Sequence, residues 1–98
     1  MTLEELYQKI RDRKKAMPEN SYVASLFREG RDRIIKKVGE EATEVIIAVK
    51  NNNKKEIISE VADLWFHLLV LLADNNITIK DIILELTKRD KNNQRSLL

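Results

Sequence analysis

Apolar residues recur at helical spacing along nearly the whole chain. Leu3, Leu6, Tyr7 and Ile10 form one stripe, and Thr2 followed by Glu5 reads as a capping box, so a first helix is predicted to about Lys15. The stretch MPENS interrupts it, because Pro18 disfavours helix in the residue before it and Asn20-Ser21 suits a new cap. A short helix is predicted from Ser21 to Glu29, closed by Gly30. A long amphipathic helix follows from about Arg31 to Lys50. Its residues Ile35, Val38, Ala42, Val45 and Val49 step by three and four, as in a coiled-coil seam. Asn51-Asn52-Asn53 reads as a turn with Asn53 as cap. The next helix runs from Lys54 to about Asp74 and is closed by Asn75-Asn76. Thr78, followed by Asp81, opens a last helix through about Arg89, and the polar tail RDKNNQRSLL is expected to fray.

Short connections between consecutive helices imply antiparallel neighbours. The expected fold is therefore all-α: one domain over residues 1–98, an antiparallel bundle of four to five helices. A chain of 98 residues buries a modest core alone. The last helix and the region from Trp65 to Leu72 carry more apolar surface than one hairpin covers, so a homodimer is expected to complete the bundle.

Composition narrows the chemistry. Only 2 glycines and 1 proline leave little turn material for a sheet protein. A net charge of +2, with basic residues interleaved among acids, argues against a nucleic-acid partner. With no cysteine there is no disulfide frame, thiolate site or cysteine nucleophile. The start MTLEELYQKI lacks the apolar core of a signal peptide, and the run Leu68 to Ala73 is too short to span a bilayer. A soluble cytoplasmic protein without membrane contact is the expectation.

Five carboxylates stand out against this background. At about 100° per residue, Arg33, Lys37, Glu40, Glu41 and Glu44 share one face of the third helix, opposite the seam. On the next helix Glu56, Glu60, Asp63 and His67 form one stripe. That helix is apolar almost all the way round, so Glu60 and Asp63 are expected to be partly buried, where a lone carboxylate costs several kcal/mol. In a hairpin turning near Asn52, Glu44 faces Glu60 and Glu41 falls level with Asp63. The pairs then converge, and their repulsion calls for a cation. The plainer alternative is a solvated face, with Glu40 paired to Lys36 and Glu41 to Lys37. A single histidine and no thiol disfavour zinc. Glu60-Val61-Ala62-Asp63 is not the Glu-x-x-His of a di-iron bundle. All-oxygen donors point to Mg²⁺, with Mn²⁺ as a substitute, and to phosphate chemistry. Arg33, Lys36 and Lys37 precede the acids by one to two turns and suit phosphates; Lys14, Lys15, Arg28 and Arg31 read as plainer surface. Gly39 costs about 1 kcal/mol relative to alanine inside a helix, and close helix packing is its expected cause.

The order Glu40-Glu41-Ala42-Thr43-Glu44, then Glu60-Val61-Ala62-Asp63 after residues 45–59, is similar to the pattern of the all-α MazG-like nucleotide pyrophosphohydrolases. Ser21-Tyr22, Leu26-Phe27, Gly30, Asp32-Arg33-Ile34, Lys36-Lys37-Val38-Gly39 and Asp63-Leu64, with His67-Leu68-Leu69, sharpen this. From Ser21 to Arg89 the chain resembles the phosphoribosyl-ATP pyrophosphatases of histidine biosynthesis. Trp65 stands where that family leads one to expect leucine or a similar residue, a difference of packing. The resemblance implies Mg²⁺-dependent hydrolysis of phosphoribosyl-ATP, between the α and β phosphates, to phosphoribosyl-AMP and pyrophosphate. It implies Glu41, Glu44, Glu60 and Asp63 as metal ligands, and Glu40 as the group that orients or deprotonates water. Ser21 and Tyr22 head the loop expected to meet substrate, while His67 is expected to be a satisfied supporting group. Two other readings compete: a helical dimer without activity, and a related hydrolase of non-standard nucleoside triphosphates.

Overall fold

The computed structural model describes residues 1–91; the part of the polar tail beyond Lys91 lies outside the described residues. It contains five helices: α1 (Leu3–Ala16), α2 (Tyr22–Glu29), α3 (Arg31–Lys50), α4 (Lys54–Asp74) and α5 (Ile79–Lys91). Four of the five starts follow from local side-chain chemistry; α3 begins at Gly30 with no side-chain cap. Thr2, Ser21 and Asn53 accept hydrogen bonds from the backbone N–H groups of Glu5, Ala24 and Glu56 at 3.1 Å each. Before α5 the Thr78 hydroxyl accepts from the Asp81 N–H at 3.1 Å, while Asp81 accepts from the Thr78 N–H at 2.9 Å, a reciprocal capping box. The Thr78 backbone N–H, with its side chain, holds the Asp81 carboxyl below its ordinary pKa. Asn52 and Asn76 turn the chain through left-handed backbone, φ 53° and 56°, which asparagine tolerates better than most residues.

α3 and α4 form the long hairpin that dominates the molecule. α1 packs on α4 and α2, and α2 packs on the start of α3. The core gathers at one end, where Tyr7 and Ile10, Leu26, Ile34, and Leu69, Val70 and Ala73 of α4 are buried together. Two side chains tie off this end. The Tyr7 hydroxyl donates to the Ile77 carbonyl at 2.5 Å, and Lys14 donates to the Ala73 carbonyl at 2.9 Å while lying over the Phe27 ring. Lys14 thus satisfies a carbonyl at the end of α4 rather than being plain surface.

The inner contact of the hairpin differs from the predicted seam. Ile34, Glu41 and Ala48 are the buried residues of α3, whereas Ile35 and Val49 are exposed and Val38, Ala42 and Val45 are half-buried. The seam lies on the flank of the hairpin, because a line of charged and small residues, Lys37, Glu41 and Ala48, takes the inner position. Helical spacing then gives the hairpin two contrasting sides. Ile35, Ala42, Ile46 and Val49 of α3 lie on one side with Ile58, Val61, Trp65, Leu68 and Leu72 of α4. Glu40 and Glu44 lie on the other with Glu60, Asp63 and His67.

The apolar side is open: Ile35 is 52%, Ile58 61% and Trp65 53% exposed. It continues into a wholly apolar groove formed by Leu3, Trp65, Leu68, Leu72, Ile82 and Ile83. No residue of α5 is buried. A Cβ built on Gly39 meets nothing within 4 Å among the described residues, so packing among them does not account for that glycine. Among the described residues, no helix is long and apolar enough to cross a membrane.

Candidate metal centre

Three carboxylates converge on the acidic side of the hairpin. Glu41 reaches across from α3, and Glu60 and Asp63 lie one turn apart on α4. Each offers an oxygen within 4.8 Å of the others. Their burial is graded. Glu41 is 9% exposed, Glu60 is half-buried and Asp63 faces solvent. The expectation that both α4 acids are sheltered by an apolar helix is corrected here. α4 is covered over only part of its circumference along this stretch, so the cluster opens to solvent at Asp63.

The electrostatics match the crowding. Partial burial raises the Glu60 pKa, and the charges of Glu44, Asp63 and Glu41 raise it further, as does a hydrogen bond with Glu41. Glu41 has a cationic neighbour on its own helix: Lys37 Nζ lies 3.3 Å from its carboxylate. Desolvation works against the Lys37 charge. The hydrogen bond to Glu41, with Tyr22, Glu41 and Glu40 nearby, outweighs it and holds the ammonium pKa above its ordinary value. The i+4 pairing weighed as the plain alternative therefore exists for Glu41, yet Glu41 also remains part of the three-acid cluster.

The other predicted residues surround this centre. Glu44 is exposed and outside the three-residue cluster, but its charge acts on Glu60. Glu40 is exposed and its charge acts on Lys37. Arg33 pairs with Glu29 and lies over the Tyr22 ring, 5.8 Å from its centroid. Lys36 is exposed on α3. Ser21 spends its hydroxyl oxygen on capping α2. Tyr22 is bound to His67, with its hydroxyl 2.9 Å from Nε2. This last contact was not read from the sequence. The two residues are 45 positions apart, so only the lone histidine on the Asp63 stripe hinted at it.

Residues 3–90 match the phosphoribosyl-ATP pyrophosphohydrolase family. A phosphoribosyl-ATP pyrophosphatase of Leptospira biflexa is 59% identical over 80 residues, covering 82% of this chain and 87% of that protein. One of Geobacter sulfurreducens is 56% identical over 87 residues, 89% of this chain and 81% of that protein. The histidine biosynthesis bifunctional protein HisIE of Caldanaerobacter subterraneus is 55% identical over 89 residues, 91% of this chain and 43% of that longer protein. With a family match over nearly its whole described length and this level of identity, the chain belongs to the phosphoribosyl-ATP pyrophosphohydrolase family.

Proposed function

We propose that this chain hydrolyses phosphoribosyl-ATP to phosphoribosyl-AMP and pyrophosphate, using a divalent cation held by Glu41, Glu60 and Asp63. One observation carries the reading: three carboxylate oxygens within 4.8 Å of one another, on the inner edge of the hairpin, in a chain of this family. A hard cation such as Mg²⁺ takes oxygen ligands at about 2 Å, so ligands on opposite sides of it stand about 4 Å apart. Oxygens within 4.8 Å of one another lie near that span. Glu44, one turn from Glu41, adds a fourth carboxylate at the rim. Mn²⁺ takes the same donors.

When bound, the ion polarises phosphoryl oxygens and offsets charge on the departing pyrophosphate. The chain's own residues do the rest. Glu40, exposed beside the cluster, orients the attacking water or accepts its proton. Arg33, Lys36 and Lys37 hold phosphates, with Lys37 kept charged by Glu41. Ser21 and Tyr22, at the head of α2, meet the substrate, with Tyr22 tied to α4 through His67. This setting is cytoplasmic and involves no nucleic acid.

A second copy of the chain covers the apolar side. Ile35, Ile46, Val49, Ile58, Trp65 and Leu68 give two adjacent helices exposed hydrocarbon along their common flank. Each such side chain is already about half covered, so burying the remainder contributes roughly half of the ~1.5–3 kcal/mol of a fully exposed one. Two hairpins joined there make a four-helix bundle, with both acidic sides facing outward.

Pyrophosphate release from phosphoribosyl-ATP, ATP, dUTP and dCTP, with and without Mg²⁺, tests the activity. Release from phosphoribosyl-ATP alone, and only with metal, is the expected result. Release from the other nucleotides instead would move the chain to a different hydrolase specificity, and no release from any would overturn the reading.

A further inference from the structure

His67 is 5% exposed, is the chain's single histidine, and has no part in the chemistry described above. Both of its ring nitrogens are engaged. Nδ1 lies 2.7 Å from the backbone carbonyl oxygen of Asp63, which can only accept. Nδ1 therefore carries the proton. In the neutral ring Nε2 is then an acceptor, and the Tyr22 hydroxyl 2.9 Å away donates to it. The Tyr22 ring is further held by Phe66, with centroids 6.1 Å apart and planes at 25°, and by the edge of His67 itself at 84°. The Arg33 guanidinium lies over the Tyr22 ring at 5.8 Å, within cation–π range. A chain of contacts thus runs from the Asp63 turn of α4, through His67 and Tyr22 at the head of α2, to Arg33 of α3.

We propose that His67 and Tyr22 are positioning residues. His67 accepts the Tyr22 hydroxyl and fixes its ring as a platform for Arg33, so that this cation, one turn before Lys37 on α3, is presented to substrate phosphate beside the carboxylates. This rests on the reading that Arg33 and Lys37 bind phosphate. It also changes the part played by Tyr22: its hydroxyl is committed to His67, and its contribution to binding passes through the ring.

The chemistry separates this from a merely stabilising contact. Tyr22→Phe removes only the hydroxyl. His67→Gln places an amide near the Nε2 position and can still accept from Tyr22. His67→Asn places one near Nδ1 and cannot. Tyr22→Phe and His67→Asn are expected to raise KM for phosphoribosyl-ATP about tenfold, the worth of one such hydrogen bond. kcat and the Mg²⁺ concentration for half-activation stay near the wild-type values, and His67→Gln restores KM. An unchanged KM in Tyr22→Phe, or equal damage from Gln and Asn, would overturn the proposal.

The tautomer of His67 is read without turnover, by ¹⁵N NMR of the single imidazole at alkaline pH. A proton on Nδ1 with Nε2 bare, changed in Tyr22→Phe, is expected; a proton on Nε2 would overturn the link. An inactive wild type with the Nδ1 tautomer would sink the proposed activity and leave the Tyr22–His67 link standing, so the two failures are distinct results.

Discussion

The two sides of the α3–α4 hairpin are built from the same two helices and depart from an ordinary protein surface in opposite ways. One side crowds like charges: Glu41, Glu60 and Asp63 within 4.8 Å, with Glu44 close enough to raise the Glu60 pKa. The other crowds exposed hydrocarbon, from Ile35 to Trp65. Neither arrangement minimises the free energy of an isolated chain. Carboxylates held together repel and favour a cation, whereas exposed apolar side chains favour more apolar surface. The stability of the fold comes from elsewhere, from the end where α1 and α2 close over Ile34, Leu69 and Val70. The packed core, the carboxylate cluster and the exposed apolar flank therefore occupy separate positions on one scaffold.

The largest effect expected from breaking this separation is on turnover. Asp63→Asn should lower kcat/KM about 1000-fold, corresponding to about 4 kcal/mol of transition-state stabilisation. The helical circular dichroism should stay intact, because Asp63 faces solvent and supports no core contact. Loss of fold along with activity would show that the acidic side is structural.

Leu26→Ala sharpens the contrast from the other end. Leu26 is fully buried, so the cavity should cost about 2–5 kcal/mol in urea unfolding. Metal affinity of the folded fraction should not change. A parallel fall in metal affinity would mean that the two ends are coupled.

On the apolar side, Trp65→Asp should weaken self-association by about 100-fold, or about 2.7 kcal/mol, in sedimentation equilibrium. Pyrophosphate release per folded chain should be affected less than in Asp63→Asn. An unchanged sedimentation profile would remove the second copy from this face.

The smallest effect is a pH dependence of the metal-free protein. The folded pKa of Glu60 is raised above its ordinary value of 4.5. Between that value and the raised one, the native state holds more protons than the unfolded state, so this group's contribution makes stability fall as pH rises through the window. Glu60→Gln should flatten that part of the thermal-stability profile, and saturating Mg²⁺ should reverse its slope. A profile identical in the wild type and Glu60→Gln would show that the charges do not interact.

What was legible in the sequence was what depends on near neighbours. Four of the five helix starts are caps written within three residues, as with Thr2 and Glu5 or Thr78 and Asp81, whereas α3 begins at Gly30 without a side-chain cap. The convergence of Glu41 with Glu60 and Asp63 was legible too, because a short turn at Asn51–Asn53 fixes the register across the hairpin. The inner face of α3 was not. Apolar periodicity picks out Ile35, Ala42 and Val49, yet Ile34 and Ala48 flank a charged residue, Glu41, on the buried line. A carboxylate on an inner face breaks the rule that periodicity relies on. The exposure of Asp63 and the Tyr22–His67 contact depend on how α2 and α4 meet in space, and no spacing along the chain encodes that.

The most direct test of the acidic side is Mn²⁺ binding to the folded protein, followed by electron paramagnetic resonance, for wild type and Glu41→Gln. Glu41 joins the two helices at the cluster, so the wild type should bind Mn²⁺, Mg²⁺ should displace it, and Glu41→Gln should bind at least about tenfold more weakly. Equal Mn²⁺ affinity in the two proteins, or no binding by either, would contradict a metal centre between α3 and α4.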